Sequence, residues 1–127
     1  MSAEELRPFF DEVLAEAEQL SVSSTEVARA LYELADRQWH TYERLDVALC
    51  ARVESCLRSR WVVMSEFVRP AGFVISSLGL LGALPLLSAS LDQTTDPDLH
   101  SDIRAVLNDP DIGDPYAGLS RHQPNVA

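Results

Sequence analysis

The 127-residue chain is long enough to bury one hydrophobic core and too short for two independent ones. Acidic side chains outnumber basic ones twenty to ten, every basic residue is an arginine, and the formal net charge is −10. Such a charge disfavours nonspecific adhesion to DNA, RNA or an anionic membrane, each of which repels it, and favours a basic partner.

The excess sits at both ends. Residues 1–36 carry nine acids and two arginines, residues 37–69 four acids and six arginines, and the remainder seven acids and two arginines. The opening MSAEELRPFF lacks the basic-then-apolar pattern of a secretory signal. Cys50 and Cys56 stand six positions apart, about 240° round a helix, a geometry in which they do not readily pair. Both features point to reduced thiols in the cytoplasm. A lysine-free chain rich in Ala, Leu and Arg points further to a GC-rich, bacterial coding genome.

In chain order, Leu6, Phe9, Phe10, Val13, Leu14, Ala17 and Leu20 recur at helical spacing and predict an amphipathic first helix, with Asp11, Glu12, Glu16 and Glu18 outside the apolar stripe. Ser2 and Glu5 have capping-box spacing, but Pro8 then falls inside the helix, so the regular part can begin nearer Arg7. Ser23 and Glu26 open a second helix whose face carries Val27, Leu31 and Leu34. A third is predicted over Tyr42 to Arg58, separated from the second near Trp39 to Thr41 only by a loss of phase in the apolar stripe.

From Ala71 to Leu91 no residue is charged, a run of twenty-one that meets the length of a membrane-spanning helix. Arginines precede the run and aspartates follow it, the asymmetry of a cytoplasmic N-terminus. Against a span stands GALP, Gly82 to Pro85, because glycine suits a helix end and proline the first turn of the next. The favoured reading is therefore two helices folded back on each other, roughly Glu66 to Leu81 and Leu84 to Asp92, with Leu84, Leu87 and Leu91 on one face of the second and Ser88 and Ser90 elsewhere. A last helix opens at TTDPDL, with Asp96 as N-cap, Pro97 at the first position and Asp98 complementing the macrodipole. The tail NDPDIGDPYAGLSRHQPNVA shows no helical period. Residues 1–108 thus form a helical domain, and 109–127 an acidic, proline-rich C-terminal extension.

The triplet Val27, Leu31, Leu34 recurs as Ala71, Ile75, Leu78 and as Leu99, Ile103, Val106, at separations of 44 and 28 residues. The first separation fits helical-pair repeats, and the second suits a truncated terminal unit. Within this pattern LGLLGALPLLSASLDQTTDPDL resembles the HEAT-repeat consensus: a first helix ending in leucine-glycine, a short turn to an ALP start, and an acidic DPD turn opening the next unit. The likeness covers residues 66–107 well, residues 24–58 poorly and the N-terminal helix not at all. It departs from the pattern at His100, where the repeat commonly has arginine, and at Pro70. The resemblance implies an all-α fold, a short HEAT-like stack of antiparallel helix pairs with about six helices in a right-handed curl.

No catalytic constellation stands out. His40, His100 and His122 are isolated, the cysteines lack the spacing of a zinc or redox motif, no serine lies in a glycine-flanked nucleophile turn, and Gly72, Gly79 and Gly82 follow no strand. DPDIGDP, Asp109 to Pro115, lacks the alternate ligands and closing glutamate of a calcium loop, leaving turn-forming aspartates or an acidic docking tail. Trp39 and Trp61 read as core aromatics ahead of interface anchors. Neither metal nor cofactor is expected, and no enzymatic activity.

Acidic helical proteins of this size with HEAT-like repeats are similar to some immunity proteins of bacterial polymorphic toxin systems. That resemblance implies a cytoplasmic protein that neutralises a basic toxin by direct contact. Candidate partner-binding residues are Asp11, Glu12, Glu16 and Glu18 on the first helix, and Asp109, Asp111, Asp114 and Tyr116 in the extension. A general adaptor or secretion chaperone is physically indistinguishable at this level. The membrane-associated alternative requires Ala71 to Leu91 to form one continuous helix, and an enzyme would draw on His40, His100 and the Asp109 to Asp114 cluster.

Overall fold

The computed structural model describes residues 2–19, 22–41, 43–109 and 112. Among the described residues there are six α-helices and no strand. The helices are α1 (Ala3–Ala17), α2 (Ser24–Trp39), α3 (Val47–Arg60), α4 (Ser65–Leu78), α5 (Leu84–Leu91) and α6 (Pro97–Leu107), with a 3-10 turn at Leu81–Ala83 before α5.

Caps fix the starts. The Glu5 N–H donates to Ser2 Oγ at 3.2 Å, and Ser2 Oγ also meets Glu5 Oε1 at 3.3 Å, so α1 begins at Ala3 rather than near Arg7. Pro8 sits inside this helix. Its missing N–H leaves the Glu4 carbonyl without a helical donor, but Glu4 is exposed and water can supply one, while buried Leu6 and Phe10 hold the flanking turns. Ser23 caps α2 through Glu26 N at 3.2 Å. Asp46 caps α3 through Leu49 N at 3.3 Å, which places that helix start at Val47 and not at Tyr42.

The α2–α3 break has neither glycine nor proline and is closed by side chains instead. Thr41 Oγ1 donates to the Gln38 carbonyl at 2.7 Å, His40 Nδ1 lies 2.8 Å from the Asp36 carbonyl, and buried Gln38 donates through Nε2 to the Glu43 carbonyl at 2.7 Å. The last turn of α2 is thereby satisfied without a glycine cap.

The uncharged run from Ala71 to Leu91 does not form one helix: α4 ends at Leu78 and α5 begins at Leu84. No helix among the described residues is long and apolar enough to cross a membrane. The residue that ends α4 is Gly79, in the left-handed region at φ 69°, with Leu80 N–H donating back to the Ile75 carbonyl at 2.9 Å. Gly82, expected to be the terminator, lies in the 3-10 turn. Its role is close approach, since a Cβ there would stand 2.6 Å from Glu54 Oε2. Pro85 occupies the first turn of α5, where its missing N–H costs nothing.

Side-chain pairs give the stacking. Arg7 meets Asp46 at 3.5 Å, Asp11 pairs with Arg52, and Leu14, Ala17 and Glu18 line a cleft with Cys56 and Ser59. The helices α1 and α3 therefore run side by side in the same direction. On the other layer the Tyr32 and Phe73 rings lie 4.6 Å apart, linking α2 to α4. Ser65 reaches Asp96, Arg69 reaches Asp102 at 2.6 Å and Ser76 reaches Asp109 at 3.2 Å, linking α4 and the end of α6 in parallel register. Helices α1 and α3 form one layer, which reaches α5 through the 3-10 turn, α2, α4 and α6 form the other, and successive helices in the chain form antiparallel pairs across the core. Leu6, Phe10, Leu31, Leu57, Phe67, Ile75, Leu87 and Ile103 are buried between them.

The lateral register is not the one the apolar triplets suggested. Arg52 lies 41 positions after Asp11, Phe73 lies 41 after Tyr32, and Asp102 lies 33 after Arg69. The triplets, spaced by 44 and 28 residues, are offset from these contacts by about a turn. A triplet records which side of its helix faces the core, which repeats every turn, and so cannot fix the height at which neighbours meet.

Candidate functional site

The candidate acids of α1 point two ways. With about 100° per residue, Asp11 and Glu18 lie within about 20° of each other, while Glu12 and Glu16 lie roughly 130° further round. Asp11 is engaged by Arg52, and Glu18 borders an open cleft of about 250 Å³ between α1 and α3. These two carboxylates belong to the seam between neighbouring helices, where the mildly basic middle of the chain meets its acidic start.

Glu12 and Glu16 are exposed and meet no cationic side chain among the described residues. They share their face with exposed Glu5 and with Phe9, which is 42% exposed. Glu5, Phe9, Glu12 and Glu16 fall within about 60° on the helix, forming a narrow stripe of three carboxylates around an aromatic ring. Phe9 was expected in the core stripe. Its position lies about 40° beyond Val13, the edge of the buried sector, and that small angular excess is the signal a helical wheel could have supplied.

Asp109 lies at the opposite end of the stack, after α6, where it accepts a hydrogen bond from Ser76 at 3.2 Å and is partly buried. Asp111, Asp114 and Tyr116 lie outside the described residues, as does His122. The two acidic groups read from the sequence are therefore not brought together as far as the structure describes them: α1 opens the stack and Asp109 follows the helix that closes it.

The residues considered for chemistry have structural partners. His40 closes α2, and His100 Nε2 lies 2.6 Å from the Thr94 carbonyl. No group of three or more His, Cys, Asp or Glu among the described residues could hold a metal ion. Cys50 and Cys56 are free thiols, and in both burial is the main force raising the thiol pKa. The carboxylates of Asp46 and Glu54 add to it at Cys50. At Cys56, Arg60 opposes it and Glu18 adds to it. Trp61 is partly buried, donates through Nε1 to Ser90 Oγ at 2.9 Å and packs edge-on to Phe67 at 5.3 Å, so it is a core and lock residue.

A second opening of about 400 Å³ lies between α2 and α4, lined by Arg29, Tyr32, Ser65, Glu66, Arg69 and Pro70. Its charges alternate in sign, and Arg69 is already paired with Asp102. The stripe on α1 is the stronger recognition feature, because its charge is of one sign and unpaired. Comparison of the chain with protein-family models, curated proteins and solved structures finds no match among any of them.

Proposed function

We propose that this chain is a helical binding protein that captures a basic protein partner, and that it acts as an immunity protein neutralising a cognate toxin. The observation that carries the reading is the outer face of α1, where Glu5, Glu12 and Glu16 remain uncompensated while the seam-facing Asp11 is paired with Arg52. A surface charge left unpaired in a chain of net charge −10 attracts a cationic protein from a distance and speeds its encounter. Stacked helix pairs suit this role, since they bury a core between neighbours and leave whole helix faces free for contact. The HEAT-like pattern of residues 66–107 and the acidity support the immunity assignment by resemblance. On this reading the chain has no catalytic residues and no cofactor, and works in the cytoplasm.

The test is capture followed by toxicity. Tagged protein incubated with lysate of its own host should retain a basic protein that is released as salt rises. That partner, expressed alone, should arrest growth, and co-expression of this chain should restore it. A captured partner that is harmless alone would instead make the chain an adaptor or secretion chaperone. A partner that is acidic, and held equally at all ionic strengths, would contradict the electrostatic reading itself.

A further inference from the structure

The spacing of Glu5, Phe9, Glu12 and Glu16 along α1 is four, three and four residues, the spacing by which one helix lies along another. The same helix already uses that spacing once: Arg7, Asp11, Leu14 and Glu18 form its seam with α3, where Arg7 meets Asp46 and Asp11 meets Arg52. The stripe lies roughly 160° round from this seam, on the side of α1 turned away from α3. No further helix among the described residues covers it, and Phe9 is left 42% exposed between carboxylates.

We infer that this open edge of α1 docks an amphipathic helix of a partner protein, one that carries arginine or lysine at matching positions and a small-residue gap for the Phe9 ring. The partner helix would add to the stack as α3 adds to α1, with acid–base pairs flanking an apolar contact. Charge selects the partner, because three carboxylates with no cation beside them repel an acidic helix and attract a basic one. Phe9 supplies the contact that survives salt, an aromatic ring leaving water at the centre of a charged rim. The inference rests on the proposed capture of a basic protein and names the element by which it is held.

The test uses the full chain and a synthetic capped peptide of about 18 residues, alanine- and leucine-based, with arginines at the positions that face Glu5, Glu12 and Glu16 and an alanine at the position that faces Phe9. A scrambled peptide of identical composition is the control. Backbone amide shifts by NMR should move along Glu5 to Glu16 and little elsewhere, and the scrambled peptide should bind at least about fivefold more weakly. Phe9→Ala leaves the charge unchanged and, at an exposed position, the fold intact by circular dichroism; it should weaken the patterned peptide by at least about fivefold. Shifts spread over other acidic surfaces, equal binding of the scrambled peptide, or indifference to Phe9→Ala would overturn the inference. If those outcomes occurred while the native toxin was still captured and neutralised, the proposed function would stand with a different docking mode.

Discussion

Gly79 and Gly82 sit three residues apart in one apolar run, yet the structure asks different things of them. Gly79 needs a left-handed backbone at φ 69°, whereas Gly82 needs only room beside the Glu54 carboxylate. Gly79→Ala should therefore lower the unfolding free energy by about 1–2 kcal/mol in urea titration. Gly82→Ala should cost much less, because the flexible end of Glu54 can swing aside. Equal effects would show that the turn is not closed at Gly79. The sequence made a reversal in this run legible through its glycines and Pro85, but which glycine carries positive φ depends on hydrogen bonds to Ile75 that no spacing rule encodes.

Cys50 and Cys56 give a pH prediction at the same scale. Burial raises both thiol pKa values, so the folded chain holds these protons more tightly than the unfolded chain does. The stability they contribute is complete below the ordinary thiol range near about 8.5 and is lost as pH climbs through the raised values. Urea midpoints should fall between about pH 8 and pH 9.5, and fall less in Cys50→Ala/Cys56→Ala. A midpoint of the wild-type chain that rises across this range would contradict the assignment of burial as the cause.

The starts of α2 and α6 were legible because Ser23 and Asp96 cap through their own side chains and need no tertiary help, whereas the start of α3 was read five residues early. Asp96 Oδ1 accepts from Asp98 N at 3.0 Å and its Oδ2 meets Ser65 Oγ at 3.5 Å, so it both caps α6 and touches α4. Asp96→Ala should cost about 1 kcal/mol or somewhat more, measured by thermal or urea unfolding, and a neutral result would mean α6 is held by its apolar face alone. The α5 face was read less well. Ser90 was expected away from the core but is buried, accepting from Trp61 and donating to the Leu86 carbonyl at 2.7 Å. Serine on a short helix gives no sign of this, because its partner lies 29 positions away. Ser90→Ala strands the Trp61 N–H and should destabilise by roughly 1–3 kcal/mol.

For the whole molecule, the apolar triplets identified α2, α4 and α6 as one recurring set, and these three do share a layer. What they could not give was the register within that layer, set by Tyr32 with Phe73 and by Arg69 with Asp102. Nor could composition divide the acids of α1 into seam and open edge, since that division follows from where α3 lies. Ion pairs such as Arg7–Asp46 and Arg69–Asp102 are about half exposed and contribute little each, while the net charge of −10 repels itself throughout. Added sodium chloride, from about 0.01 M to about 0.5 M, should therefore raise the thermal midpoint, and a fall would show that the pairs outweigh the repulsion.

The electrostatic account of capture can be tested by stopped-flow association of the captured partner with the wild-type chain and with Glu5→Gln/Glu12→Gln/Glu16→Gln, across a series of salt concentrations. The wild-type rate constant should fall by about tenfold or more as salt rises, and the triple variant should start slow and depend on salt only weakly. Superimposable rate constants for the two proteins at every ionic strength would contradict the claim that the open face of α1 recruits a basic partner.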